Sequence, residues 1–232
     1  MKITDLEKRI GTFRLQIDHL DIEPGRIHGI IGPNGCGKTV LLKTIAGIYK
    51  PDQGRIDYEG VTSREITMMS QRPYLMDTTV YKNLIYPLQI RKIRPEEERV
   101  DELLEKAGLL AQKKQYARSL SSGERQKLSF LRAVIFRPRI ILIDETFSNL
   151  DPESEALFTE MIREIQKKDP ITWVIVSHQM EAVHQLCEVV HHMEKEEWWK
   201  NETASGRHCG QGQRKIKEGC AGSGSKEAEG SA

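Results

Sequence analysis

The sequence predicts an α/β fold: a mixed, mainly parallel sheet with helices on both faces. Two observations carry this expectation. Strand-like apolar runs alternate along the chain with helical patterns of period 3.6, the order that gives parallel strands joined by crossover helices. The runs Ile140-Ile141-Leu142-Ile143 and Val174-Ile175-Val176 are apolar on successive residues, as in strands buried on both faces.

The elements follow in order. Phe13, Leu15 and Ile17 alternate with polar residues, Pro24-Gly25 breaks the run, and Ile27, Ile30 and Ile31 resume it, giving short strands around a turn. A helix is expected from Lys38 through Leu41, Leu42 and Ile45, stopped by Gly47. Strand-like pieces follow at 55–58 and 66–69. From Glu96 the residues Val100, Leu103, Leu104 and Ala107 fall at i, i+3, i+4 and i+7, an amphipathic helix that ends at Gly108. Another helix is expected over 124–136, ending before Pro138. The strand at 140–143 runs into Asp144-Glu145. Leu157, Met161 and Ile165 mark a helix, 171–176 a strand, and 180–187 a last short helix.

Composition narrows the function classes. The chain has 232 residues, 38% apolar and 30% charged, a globular balance. Basic and acidic residues number 35 and 34, so there is no net basic charge of the kind that drives nucleic-acid binding. No apolar run approaches the roughly 20 residues of a membrane-spanning helix, and the first five residues lack a signal-peptide pattern. Cys36, Cys187, Cys209 and Cys220 form no C-x-x-C pair, which suits a reducing cytosol without zinc ribbon or disulfide framework. Residues 201–232 hold 7 of the 18 glycines and one large aliphatic, Ile216, too little apolar surface to offset the entropy of ordering.

Three motifs carry chemistry. Gly32-Pro33-Asn34-Gly35-Cys36-Gly37-Lys38-Thr39 matches G-x-x-x-x-G-K-[ST] between a strand and a helix, the setting of a phosphate-binding loop. Its glycines let backbone N–H groups turn toward phosphate oxygens at a helix N-terminus. Lys38 is expected to reach the β- and γ-phosphates and Thr39 to ligate Mg²⁺, while Cys36 fills a variable position. The second motif is the carboxylate pair at the end of the 140–143 strand. Asp144 is expected to hold the metal and Glu145 to act as the base that polarises the attacking water. The third is Leu120-Ser121-Ser122-Gly123-Glu124, 20 residues before Asp144, a Ser/Gly helix start with exposed N–H groups.

Together these motifs make the chain resemble the nucleotide-binding subunit of an ATP-binding-cassette (ABC) transporter. The family signature L-S-G-G-Q appears with Ser122 for the first Gly and Glu124 for Gln, which leaves Ser121, Ser122 and Gly123 to serve the γ-phosphate of ATP on an opposite subunit. The resemblance implies further roles. Gln71 stands as the Q-loop glutamine sensing Mg²⁺, Asp151 of Ser148-Asn149-Leu150-Asp151 as the D-loop aspartate at a dimer interface, and His178 as the switch histidine on the γ-phosphate. An aromatic residue usually stacks on adenine. Alignment puts Ile10 near that place with Phe13 close by, and Phe13 is the candidate. Residues from Gln71 to Lys92 resemble a surface that receives a membrane subunit, or else a linker packing on the helical subdomain.

The resemblance implies a P-loop NTPase with an N-terminal antiparallel β-subdomain and a small helical subdomain, about 72–135, inserted in an ATPase domain spanning 1–195. Residues 196–232 are expected to be a divergent Gly/Ser-rich tail, disordered or frame-shifted, without a functional site. The implied function is ATP hydrolysis coupled to solute transport, importer-type more than exporter, with ATP and Mg²⁺ as cofactors. Implied partners are a second copy of the subunit, integral membrane permease subunits and a solute-binding protein, at the cytoplasmic face of the cell membrane, with no direct nucleic-acid contact. The alternative is a soluble ABC ATPase that remodels nucleic-acid or protein complexes. A GTP switch finds no N-K-x-D sequence to read guanine.

Overall fold

The computed structural model describes residues 1–145, 151–177, 185–194 and, for the backbone, 199–203. Two sheets are present. Strands β1 (Lys2–Ile10) and β2 (Phe13–Asp21) form an antiparallel hairpin, and β4 (Gln53–Asp57) pairs with the free side of β1, in the order β2-β1-β4. The larger sheet adds β3 (Ile27–Ile31), β5 (Ile66–Met69), β6 (Ile140–Asp144), β7 (Thr172–Val176), β8 (Val189–Met193) and β9 (Trp199–Thr203). Its order is β5-β6-β7-β3-β8-β9, parallel from β5 to β8 with β9 antiparallel at the edge. The expected mixed, mainly parallel sheet and the N-terminal antiparallel unit are both present.

Successive side chains of a strand face opposite sides, so each central strand feeds two cores. Ile30, Ile140, Leu142, Val174 and Val176 face helix α1 (Lys38–Ile45) and the antiparallel sheet, where Leu41, Leu42 and Ile45 are fully buried. Ile31, Ile141, Ile143, Trp173 and Ile175 face the remaining helices: α2 (Val80–Ile90), α3 (Glu97–Lys106), α4 (Ser122–Val134) and α5 (Pro152–Lys168). On that side Phe130 stacks on Phe158 at 4.7 Å between ring centroids and on Trp173 at 6.3 Å. Helix α1 is thus clamped between the sheets, and each of its buried aliphatic side chains contributes about 1.5 to 3 kcal/mol by removal from water.

The structure departs from the sequence reading in several places. Strand β1 was not marked by alternation, because its register with β4 shifts between Thr4 and Glu7, with Asp5 at φ 49°, and sets the buried Ile3 and Leu6 three residues apart. The buried Glu7 is paired with Arg9 and Arg14, which hold its carboxylate below the usual range through ion pairs at 2.6 and 2.7 Å. Helix α2 forms despite Pro87, capped by Thr79 Oγ1 accepting from the Lys82 N–H at 3.2 Å. Helix α4 starts at Ser122, two residues before the expected 124, and ends at Val134. Strand β9 lies beyond residue 195, so β-pairing extends into the segment read as a tail. Helices α2, α3 and α4 fall within 72–135, the segment expected to be helical. The expected helix at 180–187 lies mostly outside the described residues.

Strand β8 hides its character behind two histidines. His191 is buried against His28 of β3, with Nδ1 of His28 3.1 Å from Nε2 of His191 and the rings stacked. His28 Nε2 donates to the Glu23 carbonyl at 3.0 Å, because a carbonyl can only accept. In the neutral pair His28 Nδ1 therefore accepts from His191. Burial lowers the pKa of His28 below its ordinary value of 6.5.

Candidate functional site

The chain passes from β3 into the loop 32–37 and then directly into α1, so the loop's N–H groups meet the helix N-terminus at the C-terminal edge of the parallel sheet. Two of its glycines have no substitute. A Cβ on Gly32 would stand 2.1 Å from the Met193 carbonyl oxygen. Gly37, the N-cap of α1, has φ 105°, and a Cβ there would stand 2.7 Å from Cζ of Phe13. Cys36 is buried in the core, its Sγ 3.1 Å from where a Cβ on Gly32 would stand.

Lys38 opens α1 and is only 4% exposed. Its ammonium donates to the Gly32 and Pro33 carbonyls at 2.7 and 3.0 Å, so the cation is held inside the loop. The neighbouring Thr39 hydroxyl donates to Asp144 Oδ1 at 2.9 Å. Asp144 is the last residue of β6. Burial raises its pKa, the Thr39 hydrogen bond opposes that shift, and the adjacent Glu145 carboxylate adds to it.

Glu145 departs from strand geometry. Its φ is 49°, in the left-handed region, and its N–H donates to the Val176 carbonyl at 3.0 Å. The side chain is 21% exposed, with Oε1 3.9 Å from the Lys38 ammonium. Ser177 continues β7 at the same sheet end, its N–H donating to Ile30 at 3.3 Å. His178, which follows, lies outside the described residues.

A cavity of about 320 Å³ opens in front of this group. Ile10 and Phe13 from the β1–β2 hairpin form one side, and Lys38, Thr39 and Glu145 the other. Phe13 is half-buried against Gly37, which puts an aromatic ring beside the loop. Hard oxygen donors at Thr39 and Asp144, with a second carboxylate next in sequence, form a set that suits Mg²⁺. Gln71 is exposed two residues past β5, whose Met69 is in register with Ile143, so it leaves the sheet at the same edge as Asp144.

The signature residues form a separate cluster. Ser121 caps α4 in a reciprocal box: its Oγ accepts from the Glu124 N–H at 3.3 Å, and Glu124 accepts from the Ser121 N–H at 2.8 Å. Ser122 is exposed, and Gly123 faces α5, where a Cβ would stand 3.7 Å from Asp151 Oδ2. Asp151 caps α5, accepting from the Ser154 N–H at 2.9 Å and the Ser154 hydroxyl at 2.8 Å, bonds that lower its pKa. Residues 121–124 do not line the cavity at Lys38. The sequence motifs therefore resolve into two surfaces. Residues 148–150 lie outside the described residues, and Val40 and Met193 join the phosphate loop without any motif to announce them.

Comparison with known proteins agrees with this geometry. Residues 15–148 match the family described as ABC transporter. The tungstate uptake system ATP-binding protein TupC of Peptoclostridium acidaminophilum is 35% identical over 193 residues, 80% of this chain and 90% of that protein. The methionine import ATP-binding protein MetN of Carboxydothermus hydrogenoformans is 37% identical over 186 residues, 74% of this chain but only 55% of MetN. Among solved structures, cbiO1 from Clostridium perfringens, part of the ABC transporter complex cbiONQ, has a TM-score of 0.75 at 24% identity, covering 88% of each chain. The dimeric bacterial ABC transporter cassette MJ0796 also has a TM-score of 0.75 at 24% identity, covering 88% of this chain and 98% of that one. At that identity the two structures speak for the fold. On the family match and the sequence relatives, the chain belongs to the ATP-binding subunits of the ABC transporters, which are ATPases.

Proposed function

We propose that this chain is the ATPase of an importer-type ABC transporter, binding ATP at the loop 32–39 and turning closure of a cassette dimer into solute uptake through separate membrane subunits. The observation that carries the reading is the junction of Thr39 and Asp144 at 2.9 Å beside Lys38 and Glu145, at the mouth of a cavity with an aromatic side wall. Import is favoured by the printed functions of the relatives: tungstate uptake for TupC, methionine import for MetN, sulfate/thiosulfate import for CysA of Bacillus cereus.

Each residue then has a task. Phe13 stacks on the adenine ring. The N–H groups of 34–38 and the Lys38 ammonium take the phosphate oxygens, and the Lys38 charge offsets the negative charge that develops in the transition state. Thr39, Asp144 and Gln71 would hold Mg²⁺, which when bound neutralises charge between the β- and γ-phosphates. Glu145 accepts the proton of the water that attacks the γ-phosphorus, and His178 contacts the same phosphate. Ser121, Ser122 and Gly123 come from a second copy. The Ser121 hydroxyl already accepts from Glu124, so its own hydrogen remains to be donated to a phosphate oxygen. Asp151 lies at the interface beside Gly123. A nucleotide touching both copies favours the closed state only while its γ-phosphate is present, and that differential affinity is what drives the cycle.

Proposed partners are a second copy, integral permease subunits and a solute-binding protein, with the chain peripheral on the cytoplasmic face of the membrane. No helix among the described residues is long and apolar enough to cross a membrane. We place the ATPase domain at 1–203, enlarged from 1–195 to include β9. Fractionation separates this reading from a complex-remodelling ATPase. The transporter subunit co-sediments with membranes and is released by alkaline wash. Recovery in nucleic-acid or soluble protein complexes, with none at the membrane, would reject it.

A further inference from the structure

The phosphate loop rests on a residue that no motif marks. Met193 is the last residue of β8, 5% exposed, and its backbone is fixed on one side by pairing with Trp199 of β9. Its carbonyl oxygen abuts Gly32, so closely that a Cβ there would stand 2.1 Å away. Its side chain reaches under the other end of the loop: the methyl carbon would stand 3.1 Å from a Cβ on Gly37, beside Phe13 at 2.7 Å and Leu15 at 3.2 Å. One residue therefore touches both glycines that bracket the loop. The other two of the three nearest atoms at that position, from Phe13 and Leu15, belong to the β1–β2 hairpin, so Met193 brings the parallel sheet to that end of the loop.

We propose that Met193 is a positioning residue for ATP binding, a floor that holds the N–H groups of residues 34–38 at the spacing the phosphates need. The mechanism is geometric. Gly37 has a backbone conformation open to wide excursions, and the packed thioether limits them. Because the loop's N–H groups hold phosphate in the ground state and the transition state alike, slack in the floor weakens binding uniformly and leaves the chemical step nearly untouched. The inference rests on the reading of 32–39 as the ATP site.

The test is steady-state ATPase kinetics on the full chain carrying Met193→Ala or Met193→Leu, below the melting temperature of each, with circular dichroism verifying the fold. Met193→Ala is expected to raise KM for ATP about five-fold with kcat within about two-fold, and Met193→Leu, which refills the floor, to return KM to near the parent value. If the alanine chain does not fold, Met193→Val, branched but too short to reach Gly37, carries the same expectation. An unchanged KM in a folded Ala or Val variant, whatever happens to its melting temperature, overturns the proposal. So does a fall in kcat at constant KM, or failure of leucine to restore. Lys38→Ala serves as the separate control: retained ATP binding there strikes the loop assignment itself.

Discussion

Thr39 donates its hydroxyl proton to Asp144 across 2.9 Å, tying the first turn of α1 to the end of β6, residues 105 apart in the chain. This bond joins the helix that follows the loop 32–37 to the strand that ends on Asp144, with Glu145 next in sequence. Any disturbance of one is felt at the other.

Next to it stands Glu145, the base in the proposed mechanism. Glu145→Gln keeps the shape and removes the base, and is expected to bind ATP, form an ATP-dependent dimer and lose turnover by at least about a hundred-fold. Phosphate release together with size-exclusion light scattering measures both halves. Turnover near the parent rate would exclude Glu145 as the base.

Lys38→Ala removes the cation that the loop holds between the Gly32 and Pro33 carbonyls. Calorimetric titration is expected to show no ATP binding at nucleotide concentrations that saturate the parent. The fold should persist, since those carbonyls can bind water instead.

Phe13 is tested by two substitutions. Phe13→Ala is expected to weaken ATP binding several-fold, within the roughly 1 to 3 kcal/mol attributed to stacking of a base on an aromatic ring. Phe13→Leu still fills space against Gly37 but has no ring face, so it should weaken binding comparably. Unchanged affinity in both would remove Phe13 from the adenine site.

Acid should destabilise the chain through His28. Its folded pKa is lowered by burial, so the unfolded chain binds a proton that the folded chain refuses. Stability from this group is whole above about pH 6.5 and falls as pH drops below it, by at most about 1.4 kcal/mol per pH unit. Urea midpoints between about pH 7.5 and 5 measure the slope, a window above the range where carboxylates titrate. His28→Gln keeps a donor for the Glu23 carbonyl but cannot titrate, and its slope should be shallower. An equal slope would place the acid sensitivity elsewhere.

Much of this was legible in the sequence, for reasons that differ by element. Helix α3 and strand β6 announce themselves because their burial follows one period without interruption. The loop 32–39 is legible because its chemistry demands residue types at fixed spacing within one turn. Strand β1 is not, since a register shift between Thr4 and Glu7 breaks its alternation and the buried Glu7 is charged in its sequence. Strand β8 is obscured in the same way by His191, whose burial depends on a partner 163 residues away. The contacts of Phe13 and Met193 with Gly37 depend on how two sheets close over α1, and no local pattern encodes that. The separation of residues 121–124 from Lys38 was expected from the family resemblance alone, since no local pattern at either segment encodes it.

The left-handed backbone at Glu145 has a consequence for evolution in the laboratory. In an extended strand two consecutive side chains diverge, so a carboxylate directly after Asp144 would turn its back on the cavity. The kink recruits it, and a non-glycine residue held there stores on the order of 1 kcal/mol or more. Selection for thermal resistance alone should therefore drift toward Asn or Gly at 145, trading the proposed base for a more comfortable chain. A screen that scores only folding would discard the residue we propose as the base.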